Sequence, residues 1–363
     1  MVKQHRASNF ELLRIVCTLL IIAGHLTNQS GILDVEGITV NKSIAIILGS
    51  AFGIADNVFV MIGAWFLVDK EFKTERITKL YLQIATYVIP ITVFMIIFHK
   101  SYMGLKEIVR GLFPWGGSPL WFGTVYIEML LLTPFLNVLL SNIKRTKLML
   151  ILLFVINTIP ASFLFRNDFF YSGELVWFCF IYLLMGYIKK SKIDSVIKRK
   201  PCFFGTVGIY FMLLIIYFGT EYLSSMSGQF EKMNASLLLS TYYIDRYHTI
   251  PNFFCSIFLF FIFQKTEIKY NWVINGISKG CFGIYIFHQA PGFTKFMWSE
   301  IFKTQKWTES KFYVVYFVGT VLMIFVAGSI VDLIRRKYFE KIINAGKLSE
   351  AINQTLAKLY SDF

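Results

Sequence analysis

Long apolar stretches separated by short polar segments run through the whole chain. A helix needs roughly 20 mostly apolar residues to cross the hydrocarbon core of a bilayer, and stretches of about that length recur from one end to the other. The pattern predicts an all-α fold, a polytopic transmembrane bundle of about ten helices. The predicted spans are 9–27, 44–68, 80–98, 120–140, 147–165, 171–188, 202–219, 250–264, 281–298 and 312–334.

Composition indicates that lipid is the solvent for most of the chain. Hydrophobic residues make up 56% and charged residues 16% of the 363 positions, whereas soluble domains average about 25% charged residues. The spans leave no room for a separate soluble domain, so we predict one membrane domain over 1–334. Residues 335–363 form a predicted cytoplasmic tail, whose apolar residues among charges fit an amphipathic helix lying in the membrane interface.

The net charge of +14 indicates membrane topology rather than nucleic-acid binding, because Lys and Arg cluster in the short segments between the spans. Cytoplasmic segments carry an excess of these residues. One side of the ten-span layout holds 24 of them and the other side holds 11, with Arg14 inside the first span. Both termini are therefore predicted to be cytoplasmic.

The sequence gives no sign of disulfide or metal chemistry. The five cysteines lie in or beside apolar stretches without CxxC spacing, as small buried hydrophobes do. The histidines form no HExxH pattern, so we expect no metal site. The basic N-terminus precedes an apolar run but lacks a small-residue cleavage site, and this run is predicted to be a retained first span.

The longest external connection is predicted over 220–249. It combines Gly, Ser and Asp with Tyr242, Tyr243 and Tyr247. This mixture fits a partly ordered cap over an external cleft, and it fits a plain surface loop equally well.

The first span carries the ionisable residues of greatest interest. Ser8 and Glu11 have the spacing of a capping box, which predicts a structural role for Glu11 at the start of the helix. Arg14 and His25 are eleven residues apart, three turns plus about 20°, so they project from the same face of a helix. The rise between them is roughly 16 Å, which excludes direct contact. We expect Arg14 near the cytoplasmic side and His25 toward the outer leaflet.

Two interpretations of Arg14 and His25 remain open from physics alone. An Arg near a helix end can extend its side chain to the interface, and a His at a helix end can be hydrogen-bonded there. Ionisable groups within a span more often face the bundle interior or a wet cavity where they have a function. Their common face favours one continuous water-accessible crevice lined by both groups.

The sequence at these positions resembles the acyltransferase 3 family of bacterial membrane acyltransferases. That family marks its first span with an Arg, ten residues and a His, which Arg14 and His25 match. Residues 56–66 keep the Asp and Gly of the family's second span but have Ile62 where Ser is usual. The segments 120–122 and 131–137 are similar to its Trp-Phe and Leu-x-Pro motifs. Further similar segments are Met-Gly-Tyr at 185–187 and Phe-Gly-Ile-Tyr-Ile-Phe-His at 282–288.

The resemblance implies a membrane O-acyltransferase of the bacterial plasma membrane. Such an enzyme moves an acyl group, usually acetyl, from cytoplasmic acyl-CoA to a hydroxyl of a cell-envelope or exported polysaccharide or a lipid-linked sugar. Acetyl-CoA or another acyl-CoA is thus the expected donor and a surface glycan the expected acceptor. His25 is the candidate general base or transient acyl carrier, since the unperturbed pKa of histidine lies near neutral pH. Arg14 suits a phosphate or the thioester carbonyl of the donor.

Four other polar or aromatic residues are candidate substrate-binding groups. Asp56 lies within a span, where it must be paired or protonated, and either orienting a catalytic group or a structural role fits. Trp121 is a candidate through the resemblance. Glu128 is also within a span and matches no family motif. His288 is predicted to lie near a helix end on the outer side, where it lines the acceptor cleft or is only hydrogen-bonded.

Two further alternatives follow from the sequence. The basic cluster Lys189, Lys190 and Lys192 suits coenzyme A phosphates, but membrane topology explains it without a ligand. A transporter or flippase for a lipid-linked sugar would use the same buried charges as a substrate path. Transporters often contain repeated halves with broken helices, and the sequence has no such repeat.

Overall fold

The computed structural model of the chain describes residues 7–114, 120–163, 173–237, 239–342 and 345–361. Within these residues the regular elements are helical and no strand occurs. The α-helices, in chain order, are α1 Ser8–Gln29, α2 Val40–Gly49, α3 Phe52–Leu67, α4 Thr74–Phe98, α5 Leu105–Leu112, α6 Trp121–Leu139, α7 Ile143–Phe163, α8 Gly173–Lys190, α9 Arg199–Met226, α10 Gly228–Leu237, α11 Leu239–Asp245, α12 Ile250–Gln264, α13 Trp272–Ser278, α14 Cys281–His288, α15 Phe293–Phe296, α16 Tyr313–Ile342 and α17 Ala345–Ser361.

The predicted polytopic helical bundle is confirmed. Among the described residues, seven stretches are long and apolar enough to cross a membrane. They are Ser8–Gln29, Val40–Leu67, Thr74–Phe98, Trp121–Leu139, Ile143–Phe163, Arg199–Met226 and Tyr313–Glu340. The other three predicted spans correspond to α8, α12 and α14, which are shorter or carry more charge.

The core of the bundle forms around α3, which packs against α1, α8 and α12. α8 is buried over much of its surface, including the rings of Trp177, Phe178 and Phe180. Large apolar side chains on α4, α7, α9 and α16 are instead exposed, as expected for faces in contact with lipid. Two central helices thus lie behind a ring of lipid-facing ones.

Asn57 joins several elements through its side chain at the centre of this core. Its Nδ2 donates to the Tyr247 carbonyl at 2.6 Å and to Ser256 Oγ at 3.1 Å. Its Oδ1 accepts a 2.8 Å hydrogen bond from Trp177 Nε1. All of these groups are thereby satisfied away from water, where an unpaired polar group would cost several kcal/mol. The amide fixes α3 against α8, α12 and the segment after α11.

The predicted span 281–298 is not one continuous helix. α14 ends at His288, and the chain turns at Pro291 and Gly292 before α15 and a π-helical turn over Met297–Ile301. Proline lacks the N–H that a helix requires and disfavours helical backbone in the preceding residue. Gly292 has φ 73° and closely approaches Met103, a conformation and a proximity that suit a residue without Cβ. The break lies next to the candidate site.

The external connection predicted over 220–249 is largely helical among its described residues. α9 continues to Met226, and α10 and α11 follow it. Tyr242 is buried, and the Tyr243 hydroxyl donates to the Ser162 carbonyl. α10 and α11 pack on α9, and α11 also contacts α3, so the segment is a helical cap on these helices.

The C-terminal helix α17 packs against the beginning of α4. Thr74 Oγ1 lies 2.6 Å from Ser349 Oγ and donates to Asn353 Oδ1 at 3.0 Å. The predicted helix in the tail is therefore present, and one of its faces contacts the bundle. Its position in the membrane interface stays a prediction.

A buried ion cluster centred on Asp332 joins α16 to α4. Asp332 Oδ1 accepts from the Tyr87 hydroxyl at 2.8 Å and from Arg335 Nη2 at 3.2 Å. Arg336 Nε lies 2.7 Å from Oδ2 of the same carboxylate. The Asp332 side chain is 0% exposed and that of Arg335 7% exposed, and Arg335 Nη2 also lies 2.9 Å from Oε1 of the more exposed Glu340. Removing one partner of a buried pair leaves an uncompensated charge.

We expect Asp332→Ala to lower the free energy of unfolding by about 3–5 kcal/mol, because Arg335 loses its buried counter-ion. Thermal unfolding of the purified full chain in lipid nanodiscs measures this loss as a lower Tm. Glu75→Ala is the control, since the Glu75–Lys79 ion pair lies within the same helix α4 but is exposed. Exposed ion pairs contribute little to the free energy of unfolding. Equal Tm values for the two variants would contradict the assigned role of the cluster.

Candidate active site

A cavity of about 950 Å³ opens at the C-terminal end of α1 and contains His25 on its wall. We call it the His25 cavity. Asn28 and Gln29 of α1 line it, together with Trp121 at the start of α6. The segment that follows the break of α14 lines the opposite wall. Its volume is at the upper end of the range for ligand sites in proteins, about 300–1,000 Å³.

The position of His25 depends on close packing between α1 and α3. A Cβ at Gly24 would overlap the Phe52 side chain, so only glycine permits this approach of the two helices. The Phe52 ring then lies 6.3 Å from the His25 ring, centroid to centroid, and lines the same cavity. The imidazole is held between this ring and α14.

His25 and His288 are in direct hydrogen-bonding contact. His25 Nδ1 lies 2.8 Å from His288 Nε2, although the residues are 263 positions apart. His288 is fully buried, and its Nδ1 lies 2.7 Å from the Ile284 carbonyl oxygen. A carbonyl oxygen only accepts hydrogen bonds, so His288 Nδ1 must carry the proton. His288, for which cleft lining and helix-end hydrogen bonding were both open predictions, does not line the His25 cavity; it lies behind His25, and Gln289 lines the cavity.

This contact determines which nitrogen of His25 is available as a base. A neutral imidazole has one N–H donor and one acceptor nitrogen, so Nε2 of His288 accepts and Nδ1 of His25 donates. His25 Nε2 is then the acceptor nitrogen of the ring. The opposite assignment requires a cationic His288, a buried charge for which the described residues provide no carboxylate partner, and such a charge is costly. The Gln289 side-chain Nε2 lies 3.0 Å from the same Nδ1. Because the orientation of an amide is assigned from the hydrogen-bond network, the amide can be turned so that its oxygen accepts from Nδ1–H.

Trp121 forms part of the wall of the His25 cavity, and its ring packs against Tyr247. Its ring stacks on Tyr247 with centroids 5.7 Å apart and planes 13° apart. Asn57 holds the Tyr247 backbone carbonyl, as described above. His248 is the next residue after Tyr247, and its pKa is lowered to about 4 by burial and by the charge of Arg246. The His248 imidazole is therefore neutral near pH 7. The helical cap thus fixes the orientation of the indole.

Asp56 lies in a second, much smaller cavity of about 20 Å³. We call it the Asp56 cavity, and its volume is sufficient for about one water molecule. Thr18 and Ile21 of α1 line it. The Asp56 carboxylate makes no hydrogen bond or ion pair with any residue in the described parts of the chain. The two cavities share no lining residue.

Arg14 lies away from both cavities and is bound to its own helix. Its Nη1 donates to Glu11 Oε1 at 2.5 Å, and Glu11 Oε2 accepts from Ser278 Oγ at 2.5 Å. The predicted capping box is wrong: Ala7 is the N-cap without a side-chain bond, and the Ser8 hydroxyl donates to Asn275 in α13. The predicted single crevice joining Arg14 to His25 is not supported by these two cavities.

Arg14 and His25, with Thr18 and Ile21 between them, nevertheless form one stripe along a face of α1. Arg14, Thr18, Ile21 and His25 follow at intervals of four, three and four residues, which places them on one helix face. Thr18 and Ile21 line the Asp56 cavity, and His25 lines the larger one. The same face therefore meets the ion pair, the small cavity and the large cavity in succession.

Two other sequence candidates do not contribute to the His25 cavity. Glu128 is half-buried on α6, lines neither cavity and forms no hydrogen bond or ion pair with a residue that the structure describes. Lys189 Nζ donates to the Trp65 carbonyl at 2.9 Å, and Lys190 Nζ lies 2.9 Å from Asp69. These two lysines therefore satisfy groups at the end of α3, which explains them without a ligand.

Several lining residues were not identified from the sequence. Gln289, Pro291 and Trp298 line the cavity from the broken segment, and Arg110 lines it from α5. The Ala-Pro-Gly run at 290–292 was the available signal, since proline and glycine together indicate a turn. A search of the described residues for three or more His, Cys, Asp or Glu able to hold a metal ion finds none.

A protein-family model matches most of the chain. The acyltransferase 3 model, described as an acyltransferase domain, matches residues 8–331. This range begins at the first residue of α1 and ends within α16, so it includes His25, His288 and every residue that lines the His25 cavity. No curated protein and no solved structure matches the chain.

Proposed function

The chain belongs to the acyltransferase 3 family of membrane acyltransferases, and we propose that it is an O-acyltransferase that uses acyl-CoA, in the simplest case acetyl-CoA. The proposed acceptor is a hydroxyl of a cell-envelope or exported polysaccharide, or of a lipid-linked sugar. The proposed location is a bacterial plasma membrane with both termini in the cytoplasm. The observation that carries the proposal is the hydrogen-bonded imidazole pair His25–His288, of which His25 lies on the wall of the large His25 cavity.

The proposed reaction uses His25 as general base. Its Nε2 takes the proton from the acceptor hydroxyl while the hydroxyl oxygen attacks the thioester carbonyl. The bond between the acyl carbon and sulfur breaks, and the thiolate of coenzyme A leaves with the electron pair and then takes a proton. The ester and free coenzyme A are the products. Transient acylation of His25 Nε2, followed by attack of the hydroxyl on the acyl-imidazole, uses the same tautomer and gives the same products.

His288 is a positioning residue in this proposal. Its Nε2 accepts the hydrogen bond that the Nδ1–H of His25 donates. This contact keeps the proton of the neutral His25 ring on Nδ1 and leaves His25 Nε2 unprotonated on the reactive side of the ring. The Ile284 carbonyl in turn fixes the tautomer of His288. A chain of this kind acts like the orienting partner of the histidine in a hydrolase triad, which holds the ring in one tautomer.

The donor is proposed to enter from the Arg14 end of the stripe. The guanidinium suits a phosphate or the thioester oxygen, and the rise of roughly 16 Å to His25 is comparable to an extended pantetheine arm. Thr18, Ile21 and the Asp56 cavity lie along that line. The side chains around this small cavity would have to separate for the arm to pass.

One structural feature favours the transporter alternative. The break between α14 and α15 beside a polar cavity is of the kind found at transporter binding sites. The same break supplies His288 and Gln289 to the contact with His25, which a transport path does not require. The acyl content and the export of the glycan therefore have to be measured together.

We expect His25→Gln to reduce transfer by about 10²–10⁴-fold, the contribution typical of a general base, while the protein still inserts and the glycan is still exported. NMR of the surface glycan measures the acyl signals, and a parallel assay measures exported glycan. Wild-type acyl content in this variant would refute the base assignment. Loss of export with unchanged acylation would favour the transporter.

We expect His288→Leu to lower kcat by about 10- to 100-fold with little change in KM, because His25 loses the acceptor that orients it. His288→Gln should restore most of kcat, since the glutamine amide oxygen can accept at the position of Nε2. Steady-state kinetics in nanodiscs measure both variants. A leucine variant as active as the glutamine variant would contradict the positioning role.

We expect Arg14→Gln to raise KM for acyl-CoA about tenfold, because a charge-assisted contact with the donor is lost. Glu11→Gln is the matched control, since it removes the other partner of the same ion pair and leaves the guanidinium in place. KM for the acceptor should be unchanged in both. An equal rise in KM for acyl-CoA in the two variants would assign Arg14 to the ion pair alone.

A further inference from the structure

The His25 cavity carries a positive charge that the reaction itself does not explain. Four cationic side chains line it, those of Arg110, Lys295, Lys303 and Lys306, against the single carboxylate of Glu107. None of the four forms an ion pair or hydrogen bond with another side chain in the described parts of the chain. Three are exposed and Arg110 is half-buried. These charges, which we call the cavity cations, are thus available to a ligand.

The nearby carboxylates are already engaged elsewhere. Glu107 Oε2 accepts from the Gly104 backbone N–H at 3.1 Å, which caps the start of α5. Glu300, close to the cavity wall, accepts a 2.6 Å hydrogen bond from the Tyr102 hydroxyl. Neither is paired with a cavity cation. Hydrogen bonding leaves the negative charge on these carboxylates, but four cations against the single lining carboxylate of Glu107 leave the cavity net positive.

The segment that carries three of these cations is held in an irregular conformation. It contains the short α15, a π-helical turn and a 3₁₀ turn over Thr304–Trp307. Lys303 has φ 48° and ψ 48°, a left-handed conformation that non-glycine residues adopt at an energetic cost. Trp298 anchors the segment, because its Nε1 donates to Gln29 Oε1 of α1 at 2.6 Å. Such strain persists where the surroundings enforce it, often at binding sites.

The placement of these charges is also unusual for a membrane protein. Lys and Arg concentrate on the cytoplasmic side, and the sequence topology assigns only 11 of them to the opposite side. Four of those 11 line this one cavity. A ring of lysines facing lipid phosphates would be spread around the outside of the bundle, whereas these converge on the cavity that contains His25.

We propose that the acceptor bound in the His25 cavity is an anionic glycan, one whose sugars carry phosphate or carboxylate groups. The inference rests on the proposed O-acyltransferase function. The cavity cations bind the anionic groups, with the forked guanidinium of Arg110 suited to bidentate contact. The rings of Trp121 and Trp298 offer apolar faces to the sugars, and the hydroxyl to be acylated lies toward His25. The volume of the cavity is sufficient for more than one sugar.

The test uses the full chain in nanodiscs of uncharged lipid and three acceptor probes of equal length. These are neutral N-acetylglucosamine oligomers, the same oligomers carrying a 6-phosphate, and hyaluronan oligomers, which carry carboxylates. The test variant is Lys295→Gln, Lys303→Gln and Lys306→Gln combined. The matched control is Lys100→Gln, Lys106→Gln and Lys311→Gln combined, since these exposed lysines lie outside the cavity lining. Equilibrium binding and acyl transfer are both measured.

We expect the native chain to bind one or both anionic probes at least about tenfold more tightly than the neutral one. This preference should weaken as salt rises, because exposed charges are screened. The test variant should lose the preference, seen as a rise of at least about tenfold in KM for the anionic probes, and the control should keep it. The probe that is preferred identifies phosphate or carboxylate as the anionic group.

Equal binding of neutral and anionic probes by the native chain would overturn the proposal. So would a test variant that keeps the preference, or a preference that appears only when anionic lipid is added, which would assign the lysines to lipid headgroups. Charge-dependent glycan binding without transfer of any acyl group to any probe would refute the proposed reaction, while the ligand class would stand.

Discussion

The hydrogen bond between His25 and His288 is the interaction on which the rest of the site depends. It joins the first helix to a late one, and it is formed where both imidazoles lie beside apolar helices rather than in water. Each hydrogen-bonded nitrogen of these two imidazoles needs a donor to face an acceptor, since a buried polar group without a partner costs free energy. The Ile284 carbonyl fixes one end of the chain, and the order of donors and acceptors follows from it.

The break in α14 explains why so many polar groups converge at one place. A continuous helix would lead the chain away from α1, and its backbone groups would be hydrogen-bonded within the helix. Ending the helix at His288 instead turns the chain across the end of α1, so that Gln289, Pro291 and Trp298 all line one cavity. Irregular backbone within a membrane protein is tolerated where it is enclosed by protein or lines a wet cavity. One interruption therefore supplies the orienting imidazole and much of the cavity wall.

The sequence predicted the class of fold and some of the site for clear physical reasons. Apolar stretches of membrane-spanning length are a strong signal, and an ionisable residue such as His25 within one is conspicuous. The contact of His25 with His288 was not predictable, because spacing along one helix contains no information about a partner 263 positions away. Lys295 was concealed inside a stretch taken as one span. Ser8 and Glu11 fitted a local motif, but partners in α13 took both side chains.

The small volume around Asp56 has a consequence for the energy supply of the cell. In the proposed reaction the donor and the acceptor come from opposite faces of a bilayer, and such an enzyme must avoid becoming an ion leak, since each charge that crosses dissipates about 2.3 kcal/mol per 100 mV. Apolar groups of Ile21, Phe59 and Phe122 enclose that volume and share no wall with the large cavity. Proton wires need connected polar groups or water, and the two cavities, although Thr18 and Asp56 line the smaller one, share no lining residue that would connect them. A donor arm that threads between these side chains would itself fill the opening it makes, so the membrane potential would be kept through each turnover.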